Sequence, residues 1–250
     1  MLAGHETSSP RNGKTGLRES LINLLVYLIV SADSDFFSIG FSISEANETR
    51  HFVARENELA EIDEILRNGD GRRTVVLHGL GGMGKTQLAI AYAVRHRNDY
   101  STVFWLNIKD EDSVQQSFVR AARRIATADP SSGLGVVAAS EKLDEVVSAV
   151  KRWLDRQKNT QWLLVFDNYD NPKLPGVIDQ NAVDIRRFLP EAYHGSVLIT
   201  TRSSAVKIGR QIPLRTLRNP DDSLKILANA SGREIVVDGK RSFPVQQSLS

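Results

Sequence analysis

The stretch that decides the fold is His78-Gly79-Leu80-Gly81-Gly82-Met83-Gly84-Lys85-Thr86, because Gly79 to Thr86 match the pattern GxxxxGK[ST]. A short apolar run at 74–78 precedes it, and a helical pattern at 87–94 follows it. A loop that binds nucleotide phosphates requires this order of strand, glycine-rich loop and helix. The sequence therefore predicts a phosphate-binding loop, or P-loop, at 79–86.

The residue types of the P-loop suit this chemistry. Glycines allow backbone N–H groups to turn toward phosphate oxygens, and the following helix directs the positive end of its dipole at the same charge. We expect Lys85 to reach the β- and γ-phosphates and Thr86 to give its hydroxyl to an octahedral Mg²⁺. The alternative interpretation is a glycine-rich turn with a solvated lysine.

Bulk composition narrows the classes of protein. The 250 residues are 41% hydrophobic, enough for one α/β domain with or without appendages. The 32 Lys and Arg residues against 30 Asp and Glu predict neither a nucleic acid nor a membrane as partner. The chain has no cysteine, which fits a reducing compartment. The longest apolar run, 21–30, is too short to span a bilayer and lacks a signal-peptide cleavage pattern, so we expect a cytoplasmic protein.

Strand and helix patterns alternate along the chain. This alternation predicts an α/β fold, a three-layer P-loop NTPase with a mainly parallel sheet and helices on both faces. Pro213 is expected to keep a short fifth strand at the sheet edge or out of the sheet, and Asp112 is expected to cap the third helix. The predicted strands are 74–78, 102–108, 162–167, 196–200 and a short one around 212–214; the predicted helices are 59–66, 87–94, 114–125, 143–154 and one near 183–188.

Polar residues at predicted strand ends supply the rest of the site. Asp167 follows a buried strand and is interpreted as a Mg²⁺ ligand acting through water; its alternative role is a turn or cap residue. Asn168 stands where many ATPases carry a second acid, and a neutral amide cannot accept a proton, so hydrolysis is expected to be slow or to rely on Asp170. Arg202 is interpreted as a γ-phosphate sensor, with a solvated loop arginine as the alternative.

Together these motifs resemble the NB-ARC domain of the STAND nucleotide switches, a group of P-loop NTPases, in its fungal NOD-like receptor form. The resemblance rests on four segments, 51–59, 79–86, 163–167 and 195–202, and covers about residues 50–232. It implies ADP or ATP with Mg²⁺ as cofactors. By position it implies catalytic roles for Lys85, Asp167 and Arg202, Mg²⁺ contacts for Thr86 and Asp167, and nucleotide contacts for Phe52, Val53, Arg55, Gly79, Gly81, Gly82, Met83, Gly84, Lys85, Thr86 and Gln87.

The resemblance also divides the chain into segments. Residues 1–50 are interpreted as a linker or partial accessory segment, 51–218 as the NB-ARC nucleotide-binding domain, and 219–250 as the start of a truncated helical subdomain and a tail. Ala54 stands where the family usually has glycine, and after Gly232 the likeness stops. The sequence therefore resembles a receptor truncated after its nucleotide-binding subdomain.

The functional expectation is an adenine-nucleotide-binding module of a signal-transduction switch, with slow or no hydrolysis. The expected partners are the nucleotide and, on the resemblance, further copies of this chain or related receptor chains. Two alternatives stay open. One is a competent Mg²⁺-dependent ATPase whose base is Asp170 or a partner's group, and the other is a receptor fragment that acts only with a partner.

Overall fold

The structure is a computed structural model that describes residues 55–69, 71–176, 178–217, 221–222, 235–237 and 240–242. The helices are α1 (Glu56–Arg67), α2 (Lys85–Arg95), α3 (Glu111–Ala128), α4 (Leu134–Ala138) and α5 (Leu143–Leu154), with 3₁₀ turns at Pro130–Ser132 and Ile185–Phe188. The strands are β1 (Arg73–His78), β2 (Thr102–Asn107), β3 (Trp162–Asp167), β4 (Ser196–Thr201), β5 (Arg210–Pro213), β6 (Ile235–Val237) and β7 (Lys240–Ser242).

The first five strands form one sheet in the order β2-β3-β4-β1-β5, and every neighbouring pair is parallel. The register aligns the strand ends: His78 pairs with Thr201, and Asn107 pairs with Asp167. β5 lies at the edge beside β1, as Pro213 predicts, since an edge strand tolerates a residue without an N–H. The prediction of a parallel α/β sheet is confirmed.

Helices cover both faces of this sheet because its buried residues alternate in direction. On β1, Val75 and Leu77 pack in the core formed with α1 and α2, whereas Val76 packs in the core formed with α3, α4 and α5. β3 and β4 lie at the centre and are buried along their whole length. This is the predicted three-layer arrangement, and it brings the carboxyl ends of all five strands to one edge.

Local predictions were wrong at several points. Asp110, not Asp112, caps α3, because its side chain accepts a hydrogen bond from Ser113 N–H at 2.8 Å. The helix expected near 183–188 is only the short 3₁₀ turn at Ile185–Phe188. The Asp184 side chain caps this turn by accepting a hydrogen bond from Arg186 N–H. No pattern predicted α4 or the antiparallel pair of β6 and β7. In the part of the chain that the structure describes, none of the helices combines the length and apolar character needed to cross a membrane.

Candidate functional site

The P-loop connects β1 to α2 and is fixed at its first residue. Gly79 N–H donates to Thr201 O at 3.3 Å, and Leu214 N–H donates to His78 O at 2.8 Å. A Cβ at Gly79 would lie 2.6 Å from Leu214 O, closer than packed atoms tolerate. Glycine is therefore required at position 79, because Thr201 at the end of β4 and Leu214 after β5 both contact this residue.

The remaining glycines of the loop face open space. A Cβ on Gly81, Gly82 or Gly84 would meet no atom within 4 Å, and the last two have φ of 78° and 82°. No side chain caps the N-terminus of α2, and its first turn carries no acid, whereas Asp110 and two acids occupy the start of α3. An uncapped helix N-terminus behind an open glycine loop suits an anion, so these residues fit a nucleotide's phosphates.

Lys85 lies across the P-loop. Its Nζ donates to Gly79 O and Leu80 O, both at 2.8 Å, and the residue is only 9% exposed. The pKa of the Lys85 ammonium is lowered, mainly by burial. Asp170 and Asp167 oppose this shift, and Arg202 adds to it. The charge of Lys85 is therefore coupled to the charged groups at the ends of β3 and β4.

Asp167 connects the end of β3 to the start of α2. Its Oδ1 accepts hydrogen bonds from Thr86 Oγ1 at 2.9 Å and from Thr200 Oγ1. Burial raises the pKa of the Asp167 carboxyl, although both hydroxyls and the Asn168 N–H oppose this shift. A hydroxyl and a carboxylate beside the P-loop are oxygen ligands of the kind Mg²⁺ prefers, and the nucleotide and water would supply the remainder.

No group of three or more His, Cys, Asp or Glu side chains that could hold a metal is present among the described residues. A Mg²⁺ shared with a nucleotide does not require such a group, since it commonly binds through one or two carboxylates plus phosphate oxygens. Thr86 and Asp167 would therefore hold the ion, which when bound would neutralise phosphate charge.

Asn168, Asp170 and Arg202 follow the ends of β3 and β4. Asn168 has a φ of 66°, and its side-chain amide lies 3.4 Å from Asn107 Oδ1. Asp170 Oδ2 lies 2.7 Å from Arg202 Nε, and Asp170 Oδ1 accepts from Arg202 N–H at 2.8 Å. Asp170, the possible substitute base, is therefore paired with Arg202, the predicted γ-phosphate sensor.

Arg55 lies on the other side of the loop, at the start of α1. Its guanidinium donates to Met83 O at 2.9 Å and to Arg215 O at 2.8 Å, and pairs with Glu58 at 2.8 Å. It therefore links the P-loop to the segment that follows β5. Gln87 lies in the first turn of α2. Phe52 and Val53, predicted beside the adenine, lie outside the described residues.

Two participants were missed by sequence reasoning. Thr200 holds Asp167, and Leu214 packs on Gly79. The signal for Thr200 was present, because it is a polar residue at the end of an otherwise apolar strand. Leu214 carried no such signal, since its backbone oxygen makes the contact.

Comparison with known proteins identifies the family. The family model described as "NB-ARC domain" matches residues 55–236, well over half of the chain. The chain belongs to the NB-ARC family. The resemblance drawn from the four motifs is thereby confirmed. The match contains the P-loop, both central strands and the residues at their ends.

This NB-ARC chain is also similar to individual proteins. A "Nucleotide-binding leucine-rich repeat (NLR)-like protein" of the fungus Hyaloscypha variabilis is 27% identical over 176 residues, which are 66% of this chain and 17% of that protein. The chain therefore spans less than a fifth of that relative. Among solved structures, Cdc6p of Pyrobaculum aerophilum is 16% identical with a TM-score of 0.48, covering 76% of this chain and 52% of its own. The ORC2 protein of Aeropyrum pernix is 12% identical with a TM-score of 0.47, covering 76% and 54%.

Proposed function

We propose that this NB-ARC chain is the adenine-nucleotide-binding module of a signal-transduction switch of the NOD-like receptor type. It binds ADP or ATP with Mg²⁺ and hydrolyses ATP slowly or not at all. The observation that carries the proposal is the 2.9 Å hydrogen bond from Thr86 to Asp167, beside a glycine loop that faces open space. These groups come from two distant parts of the sequence and together suit a phosphate-bound Mg²⁺.

Slow turnover is supported by Asn168 and Asp170, which follow Asp167 in the turn after β3. Asn168 cannot accept a proton, and Asp170 is bound by Arg202 through two of its atoms. A general base must be within hydrogen-bond reach of the attacking water and be able to accept its proton. Asn168 fails the second requirement, and both carboxylate oxygens of Asp170 already accept from Arg202, which favours a binding module over the alternative of a competent ATPase.

The wider role is proposed by analogy with the family. We assign residues 51–218 to the nucleotide-binding domain, 219–250 to the start of the following subdomain and 1–50 to an accessory segment. The proposed location is the cytoplasm, and the proposed partners are further copies of this chain or related receptor chains. The NLR-like name of the fungal relative supports this assignment.

Calorimetric titration with ADP–Mg²⁺ and ATP–Mg²⁺ tests the binding function. We expect Lys85→Ala to weaken both affinities by about 10- to 100-fold, because a lysine–phosphate hydrogen bond is charge-assisted. Lys142→Ala is the matched control, since Lys142 is an exposed lysine that pairs only with nearby Glu145 among the described residues. Wild-type protein that is folded and binds neither nucleotide would contradict the proposal.

Phosphate release measured over many turnovers tests the expectation of slow hydrolysis. We expect a rate well below the roughly 1–10³ s⁻¹ of typical enzymes. A rate within that range that Asp167→Ala abolishes would instead establish the ATPase alternative.

A further inference from the structure

The turn after β3 is fastened to the end of β4. Tyr169 N–H donates to Thr200 O at 2.9 Å, and Thr201 Oγ1 donates to Tyr169 O. Asn168 N–H donates to Thr200 Oγ1 at 3.1 Å while its backbone adopts the left-handed region. Asn tolerates this region better than most residues, so the turn reverses at Asn168 and presents Asp170 to the residue after β4.

Asp170 contacts both the main chain and the side chain of Arg202. Its Oδ1 accepts from the main-chain N–H at 2.8 Å, and its Oδ2 pairs with the side-chain Nε at 2.7 Å. Among the described residues, no acceptor contacts the two terminal Nη groups of Arg202, and its side chain is 68% exposed. The fork of donors that recognises phosphate is therefore left open while the rest of the side chain is fixed.

The pair lies within electrostatic reach of the P-loop. Asp170 and Arg202 both affect the pKa of Lys85, which lies across the loop and donates to Gly79 O. The carboxyl ends of β3, β4 and β1 adjoin one another in the sheet, and Gly79 N–H donates to Thr201 O at 3.3 Å, so the residue before Arg202 contacts the first residue of the P-loop. A γ-phosphate, which ATP has and ADP lacks, is the kind of group that these Nη donors suit.

We propose that Asp170 is a positioning residue that sets the preference of the site for a nucleoside triphosphate over a diphosphate. This inference rests on the proposed nucleotide-binding function. Asp170 acts through Arg202: by fixing the backbone and Nε, it orders a long exposed side chain before the terminal phosphate arrives. A pre-ordered arginine loses less conformational entropy on binding, so the triphosphate binds more tightly. The diphosphate lacks the γ-phosphate that Arg202 would contact and therefore gains nothing.

The test compares two nucleotides across a double-mutant cycle. ADP–Mg²⁺ and a non-hydrolysable ATP analogue with Mg²⁺ are titrated into wild type, Asp170→Asn, Arg202→Ala and the double variant. Because Arg202 is exposed and Asp170 is only partly buried, the effect is modest: we expect Asp170→Asn to weaken triphosphate binding about 3- to 10-fold and to leave ADP binding within about 2-fold of wild type. In the Arg202→Ala background the same change is expected to have no effect on the triphosphate.

Glu111→Gln is the matched control. Glu111 pairs with Arg187 at 2.5 Å in an ion pair of similar exposure at the start of α3, which follows β2, a strand that β3 and β4 separate from β1. We expect this variant to bind both nucleotides as wild type does. Thermal unfolding of all five proteins shows whether each variant is folded under the titration conditions.

Three outcomes would overturn the assignment. Tighter triphosphate binding by Asp170→Asn would mean that Asp170 competes with the phosphate for Arg202. An equal loss for both nucleotides would mean a purely structural role, and unchanged triphosphate affinity would mean no role. Failure of folded wild type to bind either nucleotide would overturn the proposed function itself, whereas retained wild-type binding with any of the three results overturns only the role of Asp170.

Discussion

The packing of Gly79 against Leu214 leads to a quantitative prediction. In Gly79→Ala the new Cβ would lie 2.6 Å from Leu214 O, a backbone atom that cannot move away by a side-chain rotation. Leu214 is itself held by its N–H bond to His78 O at 2.8 Å, so loop and segment must move apart together. Forcing an extra methyl group into a packed site costs about 1–3 kcal/mol.

Urea denaturation followed by circular dichroism measures this cost. With a urea m-value of about 1–3 kcal/mol/M, the midpoint is expected to fall by roughly 1 M. Gly81→Ala is the matched control in the same loop, because a Cβ there would meet no atom within 4 Å. Its free energy of unfolding is expected to stay within about 0.5 kcal/mol of wild type.

The comparison of the two glycines can refute this reasoning directly. If Gly79→Ala and Gly81→Ala unfold at the same urea concentration, then Leu214 does not press on the loop as described. The requirement for glycine at position 79 would then not come from packing against Leu214.

Three further predictions concern the strand ends. Asp167→Asn should raise the free energy of unfolding of the nucleotide-free protein above that of wild type, and this difference should grow as the pH rises above about 4. The reason is that the raised pKa of the buried Asp167 carboxyl makes ionisation costlier in the folded state. A difference that does not change with pH in denaturation experiments would contradict this. Asn168→Asp should raise ATP turnover by about 10²-fold or more if that position supplies the general base, measured as phosphate release with Asn168→Ala as the control. Gly195→Ala should lower the melting temperature sharply, because its Cβ would lie 2.3 Å from the buried Trp162 ring and its φ is 78°; a melting temperature equal to wild type would show that the ring can move aside.

Much of the fold was predictable because the central strands are buried on both faces. Such strands read as continuous apolar runs, and 162–167 was predicted with the bounds that β3 has. The amphipathic pattern at 143–154 likewise gave the bounds of α5. The short 3₁₀ turn before β4 was not predictable, because four residues contain too little of a helical repeat to distinguish the two helix types.

Some parts of the candidate site were also predictable from local sequence patterns, and others were not. Residues of the P-loop and Asp167 follow local patterns, since each lies at a fixed place relative to a strand or helix. The partners of Asp170 and Gly79 do not follow such patterns. Arg202 reaches Asp170 because β4 pairs with β3, and Leu214 reaches Gly79 because β5 pairs with β1, so both contacts depend on the order of strands in the sheet.

That strand order has a consequence for the chain during its synthesis. β1 precedes both of its neighbours, and the segment that supports Gly79 ends at Leu214. At about 5–20 residues per second, a ribosome needs on the order of ten seconds to travel from the P-loop to that support. Until β4 is made, Val75, Val76 and Leu77, all fully buried in the finished sheet, form an apolar strand without either native neighbour, and β5 completes the pairing last. Unpaired apolar strands associate with other chains, so the nascent protein is most vulnerable to aggregation after its P-loop has been made and before its edge strand arrives.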